Sequence, residues 1–265
     1  METKPIRSIV LIGAGKLATQ LGLALKQKGM IILQVVSHSH GPGKKLAEKL
    51  MTSFVSDLFS VSRDADLYIL AVSDEAISKV VKDLKLPGKL LVHTSGSVNM
   101  NELKPASSRI GVLYPLQTFS PHRRTGFRDI PVCVEAAGKA DERKLVDFGG
   151  LLSENVRIIN SDQRKVLHLS AVFANNFTNF MYTIAEDLLH KHDIPFKLIE
   201  PLIKRTALNS KGGHTFSHQT GPAIREDFPV MKMHMELLAN QEAYKEIYDL
   251  LSKNIIQYKK TYGKL

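Results

Sequence analysis

Ile9-Val10-Leu11-Ile12-Gly13-Ala14-Gly15-Lys16-Leu17-Ala18 decides how the rest of the chain is read. Four apolar residues run straight into two glycines one residue apart, and a helix-like segment follows from Lys16 to about Lys28. Such an order is strand, tight turn, helix. Gly13, Gly15 and Ala18 fall in a G-x-G-x-x-A pattern. Gly13 permits the sharp turn out of the strand. Gly15 has no side chain to hold a pyrophosphate off the backbone, and Ala18 lets the helix pack close to the strand. The helix start, with Lys16 and Leu17, offers free N–H groups and a partial positive charge to phosphates. The pattern points to a dinucleotide. The alternative is a tight strand–helix turn in an α/β protein with another ligand or none.

Outward from this turn, strand-like and helix-like segments alternate. Ile31–Ser37, Ala65–Val72, Lys89–His93, Ile110–Tyr114, Val132–Glu135 and Val156–Ile159 read as strands. Lys44–Met51, Asp74–Leu84 and Asp141–Leu152 read as helices, with Ser73 or Asp74 as an N-cap. The alternation predicts an α/β fold, a doubly wound Rossmann domain with a mostly parallel sheet over residues 1–160. After Asn160 strand patterning stops. A long helix, capped by Ser161 or Asp162, runs to about His190, and further helices follow over Phe196–Ser210, Pro229–Leu238 and Gln241–Tyr258. Residues 161–265 are therefore expected to form an all-helical domain for substrate binding or dimerisation.

The 265 residues are enough for a substantial core, and the 43% hydrophobic and 23% charged content is that of an ordinary globular protein. The net charge is +10, but Lys and Arg are scattered among Asp and Glu. A phosphorylated cofactor accounts for the basic balance better than nucleic acid does, so no nucleic-acid partner is expected. The single cysteine, Cys133, excludes an internal disulfide and a cysteine-cluster metal site, and no other metal spacing stands out. Val166–Ala185 lacks Asp, Glu, Lys and Arg and is long enough to span a bilayer. It also carries His168, Asn175, Asn176 and Asn179, costly in lipid, so a buried helix of a cytoplasmic protein, away from membranes, is the expectation.

The second strand ends Val35-Val36-Ser37-His38-Ser39-His40, with no carboxylate where NAD-binding folds place one for the ribose hydroxyls. Ser37 and Ser39 can hydrogen-bond a 2′-phosphate, and His38, Lys44 or Lys45 can add positive charge, so the cofactor expected is NADP. A polar surface turn is the other reading. Later strands end in Ala71-Val72-Ser73 and His93-Thr94-Ser95-Gly96-Ser97, small and hydroxyl residues that can approach ribose and nicotinamide closely. Ser95 is a candidate hydrogen-bonder, and Ser97 reads equally as a turn cap. Tyr114–Phe119 reads as a cleft wall.

Counted at 3.6 residues per turn, His168, Asn175, Asn176 and Asn179 share one helix face. Buried amides need partners, which a substrate, the nicotinamide amide, a helix–helix network or a dimer seam could each supply. His168 can serve as a general acid near neutral pH, or simply pack in the core. Arg225 can clamp a carboxylate or phosphate, or pair with Glu226 or Asp227 to fix its loop.

Gly13–Ala18, Ala71-Val-Ser-Asp-Glu-Ala-Ile77 and the helical half together resemble the superfamily of pyrroline-5-carboxylate reductase and 6-phosphogluconate dehydrogenase. More closely the chain is similar to Rossmann-like proteins with a DUF2520 C-terminal domain. That likeness is carried by His93-Thr-Ser-Gly96, Pro115-Leu-Gln-Thr-Phe119, the His168–Asn176 helix, and Thr220-Gly221-Pro222 with Arg225 and Asp227. The resemblance implies an NADP-type oxidoreductase fold and a homodimer built through the helical half, and it supplies no substrate. The leading functional expectation for the chain is hydride transfer between nicotinamide and a small carbonyl, imine or hydroxy compound. Hydroxyacid dehydrogenases of the superfamily carry a Lys-x-x-x-Asn pair on the long helix, but four residues after Lys165 stands Leu169, so their lysine does not transfer. His168, Asn176 and Arg225 are left as the candidate catalytic set. A nucleotide-sensing or partner-binding dimer without turnover, and a deazaflavin-dependent reductase, are the alternatives.

Overall fold

The computed structural model describes residues 4–120 and 126–263. The chain divides into two compact units, Met1–Ala174 and Asn175–Leu265.

The first unit is built on eight strands: β1 (Ser8–Ile12), β2 (Ile31–Val36), β3 (Ser53–Val55), β4 (Leu67–Leu70), β5 (Leu90–His93), β6 (Arg109–Pro115), β7 (Val132–Ala136) and β8 (Val156–Ile158). They form one sheet in the order β3-β2-β1-β4-β5-β6-β7-β8. All neighbours are parallel except β6 and β7. The order reverses direction between β1 and β4, which opens a crevice at the carboxyl ends of these strands. Helices α1 (Lys16–Gln27), α2 (His40–Leu50), α3 (Asp74–Asp83) and α4 (Lys139–Leu152) supply the crossovers and cover.

Strand pleating sorts the core into two layers. Ile9 and Leu11 of β1 join Leu21 and Leu25 of α1, Leu46 of α2 and Phe148 of α4 on one face. Val10 and Ile12 join Ile77 and Val81 of α3 on the other. Ile9–Ile12 of β1 and all of β4 are buried and read as continuous apolar runs for that reason.

The main differences from the sequence reading have local causes. Helix α2 begins at His40, four residues before the expected start, because Pro42 is tolerated in a first helical turn. Strand β3 was not anticipated from three residues. Asn160, not Ser161 or Asp162, caps helix α5 (Ser161–Ala171): its Oδ1 accepts from Gln163 N at 2.9 Å, and Gln163 Oε1 accepts from Asn160 N at 3.1 Å. Ser161 N and Oγ bond Glu135 instead.

Beyond α5 the chain makes a π-turn over Val172–Phe177 and then α6 (Thr178–His190). The second unit continues with α7 (Glu200–Asn209), α8 (Pro222–Arg225), α9 (Phe228–Leu237) and α10 (Glu242–Tyr262). Its internal ties include Phe216 against Tyr258, His234 Nδ1 with Tyr248 Oη at 2.9 Å, and Glu226 with Lys259. Helices α6, α7 and α9 bury no residue fully. The expected burial of the Val166–Ala185 stretch is not met within one chain: Leu169 is 57% and Phe180 47% exposed. No described helix is long and apolar enough to cross a membrane.

Candidate functional site

A cavity of about 670 Å³ occupies the crevice of the first unit. Of the cofactor residues expected from the sequence, Gly13, Gly15, Lys16, Leu17, Ser37, His38, Ser39, Ala71, Val72 and Ser73 are in its wall, whereas Ala18, Ser95, Lys44 and Lys45 are not. Ala18 is fully buried beneath the turn, where it allows the helix–strand approach.

Gly13 and Gly15 do different work. Gly13 has φ +118°, and a Cβ there would lie 2.2 Å from the Ala71 carbonyl oxygen. Its N–H donates to Val36 O at 2.8 Å, so the turn is locked to β2 and β4 together. Gly15 has an ordinary extended backbone, and a Cβ on it would meet nothing within 4 Å. The space over Gly15 is open to the cavity. Gly15 is also the N-cap of α1, no side chain caps that end, and no acidic residue stands in its first turn. The end of α1 thus keeps free N–H groups and uncompensated positive charge for an anion.

At the end of β2, Ser37 Oγ accepts from Ser39 N at 3.2 Å and holds the turn that starts α2. Positive charge in the wall comes from Lys16 and Lys79; of the expected sources His38 lines the cavity, and Lys44 and Lys45 do not. Thr94, from the expected hydroxyl-rich strand end, is in the wall, and so are Ser56, Leu58, Lys79, Val80 and Asp83, which the sequence does not single out. Lys79, Val80 and Asp83 recur at helical spacing on α3, but that pattern looks like any solvated helix face until the fold sets it beside β2.

Past Thr94 the loop after β5 turns into a dense polar cluster. Ser95 is spent as a turn cap: its Oγ accepts from Ser97 N at 3.1 Å and Val98 N at 3.0 Å, and it is absent from the cavity wall. Ser97 Oγ donates to Asp74 Oδ2. His93 is fully buried, and its Nδ1 accepts from Ser95 N at 3.1 Å. Burial, with the nearby Arg164 guanidinium, pushes its pKa down to about 4, so His93 is a neutral core residue. Arg164 is itself wholly buried, bonded to Glu135 Oε2, the Val98 carbonyl and Ser161 Oγ. It ties α5 to β7 and to the loop after β5.

His168 of α5 stands over this loop. Its Nδ1 lies 3.1 Å from the Tyr114 hydroxyl, and a Cβ on Gly96 would come within 2.6 Å of the same nitrogen. The imidazole therefore sits on the glycine two residues beyond Thr94 of the cavity wall. Asn175 and Asn176 lie in the π-turn and are exposed, as is Asn179. Because i→i+5 bonding separates them from His168, the 3.6-residue count that set the four on one face does not carry through Val172–Phe177. Arg225 is exposed at the end of α8 and forms no ion pair with its neighbours: Glu226 pairs with Lys259 and Asp227 caps α9. Among the described residues no group of three or more His, Cys, Asp and Glu is placed to hold a metal.

A Rossmann-like domain model matches residues 2–118, and a domain of unknown function, DUF2520, matches residues 130–255. Among solved structures, a candidate NADP oxidoreductase from Bacteroides fragilis is 41% identical, covering 95% of this chain and 98% of that one, with a TM-score of 0.88. A Thermotoga maritima protein is 23% identical (94% and 99% covered, TM-score 0.72). An imine reductase from Myxococcus stipitatus, solved with NADP+, is 16% identical (96% and 95% covered, TM-score 0.69). The last two show the shared fold. No curated protein sequence matches.

Proposed function

We propose that this chain, which belongs to the family joining a Rossmann-like domain to a DUF2520 domain, is a cytoplasmic NADP-dependent oxidoreductase. Its reaction moves a hydride between nicotinamide and a small carbonyl, imine or hydroxy compound. The observation that carries the reading is the single cavity gathering Gly15 and the α1 N-terminus with Ser37, His38 and Ser39 at one end and Ala71, Val72, Ser73 and Thr94 at the other. A pyrophosphate fits the open space over Gly15, and a 2′-phosphate suits a β2 end without a carboxylate. The 41% identical relative from Bacteroides fragilis is itself described as a candidate NADP oxidoreductase.

Bound nicotinamide supplies or accepts the hydride. His168, at the loop beyond Thr94, exchanges a proton with the substrate heteroatom. Asn176 and Arg225, both exposed on the helical unit, offer an amide to orient the substrate and a guanidinium to hold an anionic group on it. The partner is a second copy of the chain. The helical unit leaves Phe180, Leu198 and Leu202 open, apolar surface that a second copy would cover.

Oxidation of NADPH in the presence of a panel of 2-oxo acids, ketones and cyclic imines tests the assignment. Turnover of at least one class is expected, falling about 100-fold in His168→Phe with NADPH affinity unchanged. NADPH that binds but is never oxidised by any panel member would favour a nucleotide-sensing dimer. Absence of NADPH binding would overturn the reading altogether.

A further inference from the structure

Tyr114 is a side chain that the sequence assigns only to a cleft wall. It lies at the end of β6, is 9% exposed, and among the described residues its hydroxyl has one partner, His168 Nδ1 at 3.1 Å. Burial pushes the phenol up to about 12, so it keeps its proton. A buried phenol must donate somewhere, and Nδ1 is the acceptor at hand. An imidazole whose Nδ1 accepts carries its own proton on Nε2. No described residue bonds His168 Nε2.

We propose that Tyr114 is a positioning residue that fixes His168 as a proton donor through Nε2. The inference rests on the oxidoreductase reading above and names how its acid is held. The phenol can serve both charge states of the ring. Its O–H donates to Nδ1 of the neutral imidazole, and its oxygen accepts from Nδ1–H of the imidazolium. Nε2–H is thus a donor in both states, aimed by a partner that does not move. Gly96 is part of the device, because any side chain there would drive a Cβ into His168 Nδ1 and to 2.9 Å from Tyr114 Cζ.

In the reducing direction a bound NADPH would supply the hydride to the substrate carbon, and the C=O or C=N π pair of the substrate would move to its heteroatom. That atom takes the Nε2 proton of the imidazolium. That leaves the ring only transiently as the Nδ1–H tautomer on the Tyr114 oxygen, and uptake of a solvent proton at Nε2 restores the donor.

The test uses the full-length protein without cofactor, labelled with 15N-histidine, and follows the ring nitrogens of His168 by NMR from pH 6 to 9. In the neutral ring of the wild type, Nδ1 is expected to hold the shift of an acceptor and Nε2 that of a protonated nitrogen. In Tyr114→Phe, which keeps the aromatic packing, the two shifts should move toward each other as both tautomers populate. Gly96→Ala perturbs the pair from the opposite side and should give the same averaging, so the result does not hang on one variant's folding. Identical shifts in wild type and Tyr114→Phe, or a wild-type proton resident on Nδ1, would overturn the proposal. NADPH titration of the same samples separates the two levels: a locked Nε2–H tautomer without NADPH binding keeps the pair and removes the oxidoreductase. NADPH binding with an unlocked ring does the reverse.

Discussion

The two units of the chain treat their apolar residues in opposite ways. In Met1–Ala174 every residue of β4 and β5 is buried, and two apolar layers close over both sheet faces. In Asn175–Leu265 the helices α6, α7 and α9 bury nothing fully, while Phe180, Leu198, Leu202 and Leu237 remain open. The first unit makes its own core and carries the cavity entirely within it. The second has amphipathic helices whose apolar sides outnumber the surfaces it offers them. Helices gain most of their stability from packing an apolar face, and it is this open surface that the proposed second copy would cover.

The largest effect expected from breaking this contrast is in the first unit. Glu135→Ala would leave Arg164 wholly buried with its charge unpaired, at a cost of about 3–5 kcal/mol. Denaturant titration would read it, and a loss below about 1 kcal/mol would mean that Arg164 contributes through its other hydrogen bonds alone. Next comes acid. His93 is held down to about 4 against 6.5 for the free side chain. Above pH 6.5 both folded and unfolded chains are neutral at this site. As the pH falls toward 4 the unfolded chain takes the proton that the folded chain refuses, so up to roughly 3 kcal/mol of stability drains away across that window. His93→Gln should flatten that slope, and an unchanged slope would locate the acid sensitivity elsewhere. Smaller again, about 2–3 kcal/mol in the association free energy, is the effect of Phe180→Lys combined with Leu202→Lys, both open on the second unit. Sedimentation should show dimers giving way to monomers while NADPH binding persists. A wild type that sediments as a monomer would show that the helical unit stands uncovered and would end the comparison as drawn.

How much of this was legible beforehand follows the range of the interactions. The Gly13–Ala18 turn and the strand–helix alternation are local signals, and the sheet and the cavity wall around Ser37 and Ala71 follow from them. Helix α2 was shortened because Gly41, Pro42 and Gly43 look like a loop from within the sequence. The Tyr114–His168 pair joins residues 54 apart, and nothing local in either segment announces it. Arg164 is the sharpest case. A charged residue on a polar first turn reads as solvated, yet it is buried because Glu135 and the Val98 carbonyl, distant in sequence, converge on it. The π-turn was invisible for a related reason, since it alters the helical count that was used to align the asparagines.

The central claim is that the first unit holds NADPH across Gly15. Calorimetric titration of the wild type and of Gly15→Val tests it, because the backbone at Gly15 is extended and its surroundings empty, so the variant should fold unchanged. Saturable NADPH binding to the wild type is expected, about one molecule per chain and at least about tenfold tighter than NADH. In the variant NADPH should bind at least about 100-fold more weakly at an unchanged melting temperature. A wild type that binds no NADPH, or a variant that binds it equally well, would contradict the claim.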